Sequence, residues 1–144
     1  MATQAQLVLT SDVSGDPTNV DTGLITLTKA GGTNELDQTT GLSRVHLRST
    51  TQKVLLAANA EGDNLAAKVY IINKSDDASL YLTVSINAQS VGKLYGGDFM
   101  FIPWSQTDTS ASIKVAATNW TSSTGDIPVE YALFHEDTDF LTNA

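Results

Sequence analysis

The chain has 144 residues, eight Lys and Arg against sixteen Asp and Glu, a formal net charge of −8, and no cysteine. That length suits one domain, and cations so few and scattered argue against a nucleic-acid partner, because phosphate contacts need clustered Lys and Arg. Lack of cysteine rules out a disulfide framework, a thiol nucleophile and Cys-ligated zinc, and no eighteen apolar residues run together to cross a membrane.

Residues 1–12, "MATQAQLVLTSD", carry no basic segment ahead of a long apolar core, so they do not read as a secretory signal. Residues 1–6 are expected to form an extended arm of about 20 Å. From there the dominant hydrophobic period is two, which is the period of a strand with one face on a core. Leu7 and Leu9 predict a strand over 6–10, followed by a turn cluster "SGDPTN" at 14–19. Ile25 and Leu27 alternate with Thr26 and Thr28 over 24–28, ahead of "AGGTNE" at 30–35. Val45 and Leu47 mark 43–48, and "KVLLAA" at 53–58 is apolar on both faces before "NAEGDN" at 59–64.

"KVYIIN" at 68–73 is likewise apolar on both faces, and "KSDDAS" at 74–79 reads as a turn. The cleanest alternation is "LYLTVSIN" at 80–87, with Leu80, Leu82, Val84 and Ile86 on one side. "NAQSVG" at 87–92 then reads as a turn cluster. Beyond it, 99–102, 112–117 and 128–134 read as strands, with "TSSTGD" at 121–126 between the last two. Short stretches at 34–40 and 61–67 read as loop or a single turn. Strands every ten or so residues with turns between them predict an all-β chain. The expected architecture is an antiparallel β-sandwich, jelly-roll-like, with about eight strands, in a single domain over 1–144 that ends in a tail at 136–144.

Chemistry is hard to find. The two histidines, His46 and His135, lie in no nucleophile elbow, and phosphate-cradling glycine patterns are missing. Arg44, His46 and Arg48 share one strand face, a stripe that reads as surface ion pairs. The oxygens of "DVSGDPTNVDTG" at 12–23 resemble a calcium loop only superficially, because Gly23 stands where a bidentate Glu is needed. "HEDTD" at 135–139 reads as a solvated acidic tail. Asn73 and Asn119 begin glycosylation triplets that carry no weight without a secretory route. The expected reading is a non-enzyme with no catalytic residues, no metal site and no cofactor.

One segment stands apart. In "LYGGDFMFIPW", residues 94–104, Gly96 and Gly97 allow a tight turn and Asp98 can bond the adjacent backbone. The strand that follows is apolar on both faces, Phe99 and Phe101 on one, Met100 and Ile102 on the other. Pro103 ends central pairing, and Trp104 becomes a core lid or an exposed anchor. One face is expected to complete the core while the other, with Met100 and Ile102 as the pair to test, meets a neighbouring subunit or bends into a second sheet. Phe140 and Leu141, the two large apolar residues of the tail, are expected to dock as well.

The order of "KVYIINKSD", "LYLTVSINAQ", "LYGGDFMFIPW", "ASIKVAAT" and "IPVEYALFHED" over residues 68–134 resembles small accessory virion proteins of tailed bacteriophages. The similarity is to the β-sandwich head decoration or cement proteins of marine phages. In those a glycine, an acid, an apolar run and a proline recur, as does a closing strand like "IPVEY". The resemblance implies a structural virion protein that sits on the outer capsid surface and cements or decorates it. Its implied partners are the major capsid protein, identical subunits or both, a trimer being one form of such a homo-oligomer, with no nucleic acid and no membrane. Partner-binding residues on this reading are Phe99, Met100, Phe101, Ile102, Trp104, Phe140 and Leu141. The alternative is a tail- or fibre-associated carbohydrate-binding β-sandwich using Tyr70, Tyr81, Tyr95, Trp104 and Trp120 as a stacking platform.

Overall fold

The computed structural model describes residues 3–15, 17–27, 36, 38–39, 41–57, 66–105 and 111–135. Eight strands build its body: β6 (Ser43–Leu47), β7 (Lys53–Leu56), β8 (Ala66–Asn73), β9 (Tyr81–Ile86), β10 (Gln89–Tyr95), β11 (Phe99–Ser105), β12 (Ile113–Ala116) and β13 (Ile127–His135). They form two antiparallel sheets, one in the order β6-β13-β8-β11 and the other β7-β12-β9-β10. Successive strands switch sheets at every connection except the β9–β10 hairpin, and this alternation with this order is the jelly-roll topology. The predicted class is therefore the one observed.

The two inner faces meet in one apolar core. Val69, Ile71, Ile127, Val129 and Leu133 come from the first sheet, and Leu82, Val84, Ile113 and Val115 from the second, all fully buried. Alternation explains the placement: β8 buries residues 67, 69, 71 and 73 while 68, 70 and 72 stay half-exposed on the outer face. Each fully buried Val, Leu or Ile side chain contributes about 1.5–3 kcal/mol relative to exposure.

Five shorter strands precede or flank this body. β1 (Gln4–Ala5) pairs with β4 (Ile25–Thr26), and β2 (Val8–Ser11) with β3 (Thr18–Asp21), so residues 3–27 make one long irregular hairpin. Its tip holds a 3-10 turn, Val13–Gly15. β5 (Gln38–Thr39) lies beside the C-terminal end of β13, in line with β6. Among the described residues the pairing with β13 stops at Thr39 and resumes at Ser43, and Gly41 between them adopts φ +81°.

Several expectations need correction. The region 87–92 is not all turn: only Asn87 and Ala88, with φ of 54° and 59°, make a two-residue hairpin turn of the primed kind, and β10 begins at Gln89. β10 is an edge strand on which Leu94 alone is buried, so it leaves no apolar period to read. β3 likewise occupies part of the expected turn at 14–19, with all four residues exposed. Gln4 and Ala5 do not stand free as an arm, because the β4 backbone pairs with them. The stretch at 34–40 contributes β5, whereas most of 61–67 lies outside the described residues, as do residues 1–2 and the tail 136–144.

Candidate interaction site on an open sheet edge

The double glycine is explained by a close approach. A Cβ on Gly96 would collide with the backbone carbonyl oxygens of Asp77 and Ser75, and Gly97 sits at φ +93°. The Asp98 carboxylate accepts a hydrogen bond from the Tyr95 N–H (3.0 Å), and the Asp98 N–H bonds the Tyr95 carbonyl (2.8 Å). Beneath this turn lies Asn73, fully buried at the end of β8. Its amide Nδ2 donates to the carbonyls of Leu80 (3.0 Å) and Leu94 (2.9 Å), and its Oδ1 accepts from the Ser75 N–H (2.9 Å). One side chain thus ties the end of β8 to Ser75 and Leu80 of the following loop and to β10, while its backbone carbonyl accepts from the Gly97 N–H of the turn into β11. It is a structural strut, and no glycosylation machinery could reach it.

From that turn β11 runs antiparallel to β8 in unbroken register, Phe99 opposite Ile72 through to Ser105 opposite Ala66. The Asn73 N–H donates to the Asp98 carbonyl at 3.0 Å, so even-numbered residues of β11 direct their backbone groups to β8. Odd-numbered ones direct theirs away from it. Pro103 does not end the pairing as expected, and β11 continues to Ser105: the proline falls among the odd residues, which is where an edge strand tolerates a missing N–H. Among the described residues no strand pairs with this outer side, leaving the backbone groups of Phe99 and Phe101 turned toward an open edge.

Side chains on β11 sort oppositely to the expected roles. Met100 and Ile102 pack against the core, while Phe99 and Phe101 face outward at 59% and 40% exposure. Trp104 is no surface anchor: it is 4% exposed, and its Nε1 donates to the Ala111 carbonyl at 2.8 Å. Phe140 and Leu141 lie outside the described residues.

A cleft of about 550 Å³ runs along this edge. Phe99, Met100 and Phe101 form one wall, and Ala5, Gln6, Leu7, Thr22, Ile25 and Leu27 of the N-terminal hairpin form the other. No β8 residue lines it, so it lies on the side of β11 away from the rest of the sheet. Neither wall carries a charged side chain. Leu7 and Ile25 also stay exposed at its mouth, extending the apolar surface of the phenylalanines. Sequence reasoning missed the hairpin's part in this site. Its alternating Leu7, Ile25 and Leu27 were visible, but their position beside β11 is a tertiary fact with no local trace.

The other candidates resolve into structural roles. Arg44 pairs with Glu130 (2.9 Å) and Arg48 with Asp126 (2.8 Å) on the outer face of the first sheet, the expected surface ion pairs, each worth up to about 1 kcal/mol. Tyr70, beside them, has its phenol pushed above the usual range by burial and then by the Glu130 charge. In the suspected calcium loop, the Asp21 carboxylate accepts from Gln6 Nε2 and the Gly23 N–H, both at 2.9 Å, which lowers its pKa. Among the described residues no three His, Asp or Glu gather as a metal would need.

Of the sugar-platform candidates only Tyr81 and Tyr95 come together, with centroids 5.0 Å apart and planes tilted by 48°, and Lys93 Nζ lies 4.6 Å from the Tyr81 ring. They are a cross-strand pair on the outer face of the second sheet. Tyr70 is on the other sheet, and Trp120 packs against the core. Comparison of the chain with protein-family models, with curated proteins and with solved structures found no match.

Proposed function

We propose that the chain is a structural, non-catalytic protein of a phage virion that docks on the outer capsid surface and cements or decorates it. The observation that carries this reading is the uncharged apolar cleft along an open sheet edge, set in an otherwise acidic, stiff sandwich. Contiguous exposed apolar surface of this kind is a mark of protein association. The resemblance supports it from a second side, since its five segments fall on β8, β9, β11, β12 and β13, and jelly rolls recur in viral capsid and lectin domains. Fold analogy alone assigns no role, so the capsid is the point to test.

Purified protein mixed with heads of the encoding phage is expected to sediment with them at a saturating stoichiometry set by the capsid symmetry. F99S/F101S is expected to lose at least about tenfold in affinity while keeping its fold. Protein that stays in the supernatant at every concentration defeats the reading. The carbohydrate alternative has the Tyr81–Tyr95 pair in its favour, but their tilt suits cross-strand packing better than a flat pyranose platform.

A further inference from the structure

Among the described residues the two sheets have four edges, and three of them are guarded. β10 carries Lys93 and a register shift between Ser90 and Gly92, β7 begins with Lys53, and the β5–β6 border carries Arg44 and a break in pairing between Thr39 and Ser43. Cations and bulges are the devices by which proteins keep sheet edges from pairing with other chains. β11, "FMFIPWS", has no charged residue and no register shift. It has instead a ready-made slot, with the apolar wall of the N-terminal hairpin on the far side.

An edge of this type accepts an extended strand, whose backbone completes the ladder and whose alternate side chains fall on both faces of the sheet. β11 is apolar on both faces at this point, Phe99 and Phe101 outward, Met100 inward. The matching strand therefore needs two adjacent apolar side chains, one for each face. Within this chain, "TDFLTN" at 138–143 supplies such a pair, Phe140 next to Leu141 between polar neighbours.

We propose that the slot beside β11 receives residues 138–143 of a second copy of this chain. Reach decides between the copy and the chain's own tail. β13 ends at His135, one residue past Phe134, which stands level with Lys68 and Pro103. Three strand spacings separate β13 from the slot, and three residues along the sheet separate the level of His135 from that of Phe101, a straight-line path of roughly 18 Å. Five residues at full extension span about 17–18 Å. That leaves nothing for passing over the side chains of the outer face, so a neighbour's tail fits where the chain's own does not.

The proposal rests on reading this cleft as a protein-docking surface and assigns it to a sister subunit, so that the assembled oligomer is what meets the capsid. The test uses the full chain in solution without capsids, which separates its failure from that of the capsid reading. Wild-type protein is expected to assemble in a concentration-dependent way by light scattering. F140S/L141S and F99S/F101S should each raise the concentration of half-assembly at least about tenfold, with unchanged circular dichroism. A mixture of the two variants should assemble where neither does alone, because one keeps its slot and the other its tail. A synthetic peptide of residues 136–144, added to F140S/L141S, should protect the Phe99 and Phe101 amides from hydrogen exchange. A wild-type chain that stays monomeric, variants that assemble like wild type, a mixture that stays apart, or a peptide that gives no protection would each overturn the proposal.

Discussion

Gly96 is the residue at which the local backbone has least freedom to change. Its hydrogen occupies the space between β11's leading turn and the Ser75–Asp77 backbone, and carbonyl oxygens cannot swing aside as a flexible side chain would. Gly96→Ala is expected to cost about 1–3 kcal/mol, the range of an overpacked interior site, read as a shift of the urea midpoint with unchanged slope. The requirement was half legible. "GG" announces a tight turn in any sequence, but which glycine needs bare space depends on the loop between β8 and β9, about twenty residues earlier in the chain. Asn73 illustrates the same limit: as a triplet it looked like a surface acceptor, yet its amide is buried and fully bonded.

At the scale of elements, legibility followed burial. β9 could be read outright because Leu82 and Val84 on its central position alternate with Tyr81, Thr83 and Ser85. β10 and β3 could not, since an exposed strand needs no apolar rhythm to be held by its neighbour's backbone. The mutational costs should divide along the same line. Leu82→Ala on β9 is expected to lose about 2–5 kcal/mol through the cavity it opens, while Val91→Thr on the β10 edge stays within about 0.5 kcal/mol; thermal unfolding of the two variants side by side checks this. β11 was conspicuous as a run apolar on both faces. Which face turned outward was not, because alternation gives two sets and no polarity between them.

For the molecule as a whole, charge sets the working range. Asp21 and Asp77 have folded pKa values below the ordinary carboxylate value, each through hydrogen bonds it accepts, Asp21 from Gln6 and Gly23 and Asp77 from Ser79. Such groups contribute stability that is present above the unfolded value near 3.8 and is lost as pH falls through the lower folded value. Tyr70 acts at the other end: its phenol is raised above 10.0, so its contribution holds below that pH and disappears as pH climbs through the folded value. Unfolding midpoints measured against pH should therefore form a plateau, with an acid decline below about pH 4. Tyr70→Phe should reduce the fall of the unfolding midpoint at alkaline pH. The excess of acid was plain in the sequence. That it leaves one stretch of the surface free of charge became visible only once the hairpin and β11 lay side by side.

Pro103 gives that surface a direction. Phe99 and Phe101 can each both donate and accept along the open border, whereas two residues on the proline can only accept. Any polypeptide laid there is gripped at the glycine end and left slack at the tryptophan end, so it would peel away from Pro103 first and hold longest near Phe99. A joint fastened at one extremity yields progressively under load instead of snapping, and its strength depends on which way it is pulled.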